Sequence, residues 1–86
     1  MIKPAENLLW EKIGDELVVL KTDSGKSFRL NHTGEMVWGM IAEGNSEEDI
    51  IHKLSSLFQE SSEVFKQDME AFLAELKSEG LVVYDV

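Results

Sequence analysis

The dipeptide Gly14-Asp15 lies between two six-residue runs, Leu8–Ile13 and Glu16–Lys21, and constrains the chain more than any other feature. A two-residue connection with glycine first is a hairpin turn whose twist matches that of the strands it joins. It also fixes register, setting Trp10 opposite Val19 and Lys12 opposite Leu17. Asp23-Ser24-Gly25 supplies the next turn, with glycine accepting positive φ and aspartate capping its own turn. Ser27–Leu30 follows as a short third strand. The first third of the chain is therefore predicted to be a three-stranded antiparallel meander.

Beyond Leu30 the apolar period changes from two to that of a helix. Thr33 is placed to cap a helix running to about Glu43, with Met36, Val37, Met40 and Ile41 on one face and Trp38 beside them. Gly44 stops it. Ser46 caps a second helix, with Glu47, Glu48 and Asp49 on its electropositive first turn. Ile50, Ile51, Leu54, Leu57 and Phe58 make its amphipathic stripe. Ser61 or Ser62 opens a third helix over 62–79, striped by Phe65, Met69, Phe72, Leu73 and Leu76. Gly80 terminates it, and Leu81 is placed to fold back on its last turn. Leu81–Val86 reads as a short strand or a tail.

Strands over 8–30 followed by helices over 33–79 define an α+β domain, a three-stranded antiparallel sheet followed by a three-helix bundle. Residues 1–86 read as a single domain. A small sheet beside closely spaced helices has a winged-helix-like look, and charge decides against the DNA-binding reading of that shape. The chain carries a net charge of −9. Residues 1–30 are neutral, with five acids and five bases, so residues 31–86 hold all of it. The third helix sets Lys66 and Lys77 against Glu63, Asp68, Glu70, Glu75 and Glu79, which suits it poorly to a phosphate-lined groove. Nucleic acid and anionic membrane are not expected partners.

Catalytic chemistry has little to work with. The chain has no cysteine, which excludes disulfides and thiolate metal sites. His32 and His52 lack neighbours at metal-ligand spacing, so neither a metal nor another cofactor is expected. Ser55-Ser56 and Ser61-Ser62 have no nearby base, and Asp23-Ser24-Gly25-Lys26 lacks the length and second glycine of a phosphate loop. The acidic side chains fit solvated helix faces. The reading is a non-enzymatic protein with no catalytic residues. With neither a signal peptide nor a membrane-length apolar run, it is expected in the cytoplasm.

Leu30-Asn31-His32-Thr33-Gly34, then Trp38, then Gly44-Asn45-Ser46-Glu47-Glu48-Asp49-Ile50, resembles the middle of PqqD-like proteins. Asp68, Phe72-Leu73, Leu76 and Gly80-Leu81-Val82 resemble the end of the same pattern. The resemblance covers roughly residues 8–83. It implies a RiPP recognition element: a domain that binds the leader segment of a ribosomally synthesised precursor peptide. Such a domain presents the peptide to a modifying enzyme, such as a radical SAM enzyme, a cyclase or a leader peptidase. Members of the family serve PQQ and lasso-peptide biosynthesis.

The family's binding mode implies that the leader adds as a strand beside Ser27–Leu30 and packs against the third helix. An edge strand offers the unpaired backbone groups that such pairing uses. The site residues expected on this basis are Ser27, Phe28, Arg29, Leu30, Phe65, Asp68, Met69 and Phe72. An apolar stripe at helical spacing is more often core than surface, so most of it is expected to be buried against the sheet, leaving the margin at Phe65 and Met69. Trp38 is expected to fill the helical core. Asp68 has two readings, a bond to a backbone donor or contact with a basic leader residue. Arg29 and Lys26 likewise either protect the edge or attract an acidic leader.

Two other readings compete. One is a structural subunit of a larger biosynthetic enzyme, and the weaker one is a winged-helix transcription factor. An open edge strand also allows a homodimer by strand pairing.

Overall fold

The computed structural model describes residues 1–59 and 62–84. In chain order the elements are β1 (Ile2–Pro4), β2 (Leu8–Ile13), β3 (Glu16–Lys21), β4 (Ser27–Leu30), α1 (His32–Ala42), α2 (Glu47–Leu57), α3 (Glu63–Ser78) and β5 (Val82–Tyr84). Strands β2, β3 and β4 form the expected antiparallel meander, with β3 in the centre. Gly14 turns the first hairpin at φ 62°, and Trp10 pairs with Val19 and Lys12 with Leu17 as its two-residue loop requires.

A second sheet was not expected. Strand β1 pairs antiparallel with β5, setting Ile2 opposite Tyr84 and Pro4 opposite Val82. Ile2 and Val82 are both buried, and Ala5 N–H donates to the Leu81 carbonyl. The reading of residues 81–86 as a strand holds for Val82–Tyr84; residues 85 and 86 lie outside the described ones. Strand β1 has only three residues, one of them proline, too short a run to show a period.

The start of α1 differs from expectation. Asn31, not Thr33, is the cap: its backbone is extended and its Oδ1 accepts from Gly34 N–H at 2.9 Å. Helix α1 thus follows β4 with one residue between them, which locks the helix to the strand. Ser46 and Ser62 cap α2 and α3 by accepting from Asp49 and Phe65 N–H; Ser61 lies outside the described residues. Helix α3 ends at Gly80, φ 76°. Gly80 N–H donates to Lys77 and Leu81 N–H to Leu76, a paired closure that returns buried Leu81 to the helix.

The core joins Leu17, Val19 and Leu30 of the sheet to Val37, Trp38 and Ile41 of α1, Ile50 and Leu54 of α2, and Leu73 and Leu76 of α3. Helix α1 covers the sheet, packing on β3 and β4, whereas α3 packs chiefly on α2 and β5. This corrects the expectation that α3 covers the sheet and hides most of its stripe. Leu57 and Phe58, expected in the α2 stripe, are 58% and 42% exposed, because α2 ends there and the chain turns away at Gln59, φ 53°.

Candidate functional site

Strand β4 is an edge, and its backbone phase decides which amides are available. Lys21 N–H donates to the Lys26 carbonyl where the β3–β4 hairpin closes. Carried along the register of Val19 with Phe28 and Leu17 with Leu30, that phase commits the backbone groups of Phe28 and Leu30 to β3. Ser27 and Arg29 turn theirs to the vacant side. Side chains alternate oppositely: Leu30 is buried and Phe28 half-buried on the helix side, whereas Ser27 and Arg29 are exposed.

Helix α3 runs antiparallel alongside this strand and meets residues at or next to both of its ends. At one end Lys26 Nζ meets Glu79 Oε2 at 3.2 Å, and Lys21 Nζ reaches the Glu79 carbonyl at 3.3 Å. These cations sit at the negative end of the helix, where its unpaired carbonyls collect. At the other end Gly34 lets Leu30 and Phe72 close together. A Cβ on Gly34 would lie 3.1 Å from Leu30 Cβ and 3.3 Å from Phe72 Cζ. Four strand residues span about 10 Å, and the seven-residue step from Phe72 to Glu79 spans about 10.5 Å, so strand and helix match in length.

Between the start of α1 and α3, just past the end of β4, lies a small cavity of about 170 Å³ lined by Asn31, Thr33, Gly34, Met69 and Phe72. Phe65, Met69 and Phe72 are half-buried against the core, so three of the five stripe residues keep a surface, one more than expected. Phe58 extends the shelf, its ring edge-on to that of Phe65 with centroids 6.2 Å apart. Met69 and Phe72 line this cavity, Leu30 and Phe72 both approach Gly34, and Phe28 and Phe65 are half-buried against the same core. Leu30 lies beneath the surface as a floor residue.

The charged candidates fall differently. Arg29 Nη1 bonds Glu16 Oε1 at 3.1 Å on the side of the sheet away from the helices. Lys26 is held by Glu79 and lies 5.2 Å above the Phe28 ring. Both cations already have carboxylate partners, which weakens the idea that they attract an acidic peptide. Asp68 is exposed and, among the described residues, makes no bond to a backbone donor, so the structural reading of it has no support.

Asn31, Thr33, Gly34 and Phe58 were missed as site residues. Gly34 carried a signal, since a glycine inside a helix lowers its stability and calls for a packing reason. Phe58 carried none, because its distance from Phe65 depends on the α2–α3 turn. Among the described residues no group of acidic or histidine side chains could hold a metal, and no helix is long and apolar enough to cross a membrane.

The family model for PqqD, Coenzyme PQQ synthesis protein D, matches residues 16–82. This defines the class, and the chain belongs to the PqqD family. Two solved structures share its fold. TbiB1 in complex with the TbiA(beta) leader peptide superposes with a TM-score of 0.87 at 24% identity, covering 98% of each chain. Lasso peptide synthetase B1 complexed with the leader peptide gives 0.81 at 21% identity, covering 96% of this chain and 98% of the other. No curated protein is significantly similar in sequence.

Proposed function

We propose that residues 1–86 act as one peptide-holding domain that binds the leader segment of a ribosomally synthesised precursor and presents it to a modifying enzyme. The observation that carries this reading is the outward-facing backbone of Ser27 and Arg29 beside the half-buried shelf of Met69 and Phe72. A peptide entering in extended form pairs with those backbone groups while alternate side chains enter the apolar groove. Backbone pairing supplies affinity with little demand on sequence, and the groove supplies choice. Met69 suits a surface that must fit a ligand, being unbranched and polarizable.

Membership of the PqqD family and the fold shared with two leader-bound proteins support the reading. Ser27, Phe28, Arg29, Leu30, Phe65, Met69 and Phe72 are its site residues, with Asp68 at the rim. The protein itself supplies no bond-making step; a radical SAM enzyme, a cyclase or a leader peptidase would act on the held peptide in the cytoplasm.

Calorimetric titration with the leader of a precursor encoded beside this chain tests the proposal. Micromolar binding or tighter is expected, about −8 kcal/mol. A folded protein that ignores that leader would favour the structural-subunit reading instead.

A further inference from the structure

Among the described residues no element covers the side of the meander turned away from the helices, yet that side is apolar. Leu9, Glu11 and Ile13 of β2 alternate onto it, opposite Leu20, Val18 and Glu16 of β3. Leu9 is 63% and Ile13 59% exposed. With Val18, Leu20 and the edge of Trp10 they line a shallow concavity of about 540 Å³. A sheet face that meets only water normally alternates to polar side chains. Here four aliphatic residues surround Glu11, and the second carboxylate of the face, Glu16, lies outside the concavity and is held by Arg29.

Glu11 selects the occupant. Among the described residues it makes no ion pair, because Lys12 pairs with Glu35, Arg29 with Glu16 and Lys26 with Glu79. A second copy stacked face to face would bring two Glu11 carboxylates together in an apolar contact, and each copy carries a charge of −9. A different protein that sets a lysine or arginine among apolar side chains meets the same surface without that penalty.

The face also continues across β3 to the outward side chains of Ser27 and Arg29. A strand added to β4 would present every second side chain on this same side. Resting on the peptide-holding reading above, we propose that this face docks the modifying enzyme, through an apolar patch carrying a cation opposite Glu11. The enzyme would then be seated on the same side of the sheet as half of the held peptide's side chains.

The test measures two affinities for the full chain: for the leader by calorimetry, and for the purified modifying enzyme encoded beside it, without peptide, by biolayer interferometry. The variants are Glu11→Lys, Glu11→Gln and Ile13→Asp, all on exposed strand positions. Leader affinity is expected to stay within about twofold of wild type, as for distant independent sites. Enzyme affinity is expected to fall about 30-fold or more in Glu11→Lys and Ile13→Asp, and less in Glu11→Gln.

Enzyme binding unchanged in Glu11→Lys and Ile13→Asp, or absent in wild type, overturns the docking face. A wild-type dimer in sedimentation that Ile13→Asp dissolves overturns it in favour of a second copy. If Ile13→Asp fails to fold by circular dichroism, the two Glu11 variants decide. A wild-type chain that binds the enzyme through this face and ignores the leader removes the peptide-holding reading and leaves the docking surface standing.

Discussion

Helices α1 and α3 both carry large apolar residues at helical spacing, but their neighbours treat them differently. In α1, Val37, Trp38 and Ile41 are each 1% exposed or less, enclosed by the sheet, β1 and α2. In α3 Leu73 reaches that state and Leu76, at 3%, comes close to it, while Phe65, Met69 and Phe72 stay half-buried. The difference lies in attachment. One residue separates α1 from β4, which pulls it onto the sheet, whereas α3 meets the residues around β4 through the Lys26–Glu79 and Lys21–Glu79 bonds and where Phe72 and Leu30 both approach Gly34. The same kind of stripe makes a core in one helix and a groove wall in the other.

The largest expected effect breaks this contrast at α1. Trp38→Ala should lower stability by about 3–5 kcal/mol and leave much of a domain this size unfolded. Phe72→Ala, on the groove side, should cost less stability and weaken leader binding about tenfold. Guanidinium unfolding and calorimetry read the two quantities separately. A Phe72→Ala protein with unchanged leader affinity would make α3 another core helix.

A sharper test lies on β4. Arg29→Pro removes an amide that faces the vacant edge, so the domain should fold while losing about 1–3 kcal/mol of peptide binding through a missing backbone bond. Phe28→Pro removes an amide committed to β3 and should unfold the hairpin without any ligand. Circular dichroism separates these outcomes, and equal damage from both would contradict the assigned phase.

Smaller effects probe the frame. Asn31→Ala should cost about 1 kcal/mol by removing the α1 cap, and Thr33→Ala should do much less, both read from the midpoint of thermal unfolding. The smallest concerns Tyr84, whose hydroxyl donates to Glu47 Oε2 at 3.1 Å. Burial, then the Glu47 charge and this bond, raise its pKa above the ordinary tyrosine value. A raised pKa in the folded state means a stabilising contribution that is complete below the unfolded value and lost as pH rises through the folded one. Tyr84 is the sole tyrosine, so its phenolate absorbance reports it alone, and Glu47→Gln should lower the midpoint.

Much of this arrangement was legible in the sequence because it rests on local chemistry. The Gly14 turn fixed the β2–β3 register, Ser46, Gly44 and Gly80 marked helix ends through their own backbone and hydroxyl preferences, and the Ser61-Ser62 pair marked the start of α3 without choosing between them. What escaped was non-local. Strand β1 is a strand only because β5 lies beside it, 80 residues away along the chain from Ile2 to Val82. Whether Phe72 would be core or groove wall depended on how far α3 stands from β4, which no spacing within α3 encodes. The Asn31 cap was readable but ambiguous, since Asn31 and Thr33 are both good capping residues two positions apart.

The central claim is that a peptide pairs with β4 through the outward amides of Ser27 and Arg29. Amide hydrogen exchange of the chain with and without leader peptide, resolved residue by residue by NMR, tests it most directly. The account predicts new protection at Ser27 and Arg29 on binding, with Phe28 and Leu30 already protected in the free protein. Saturating leader that leaves Ser27 and Arg29 exchanging as fast as before would contradict it.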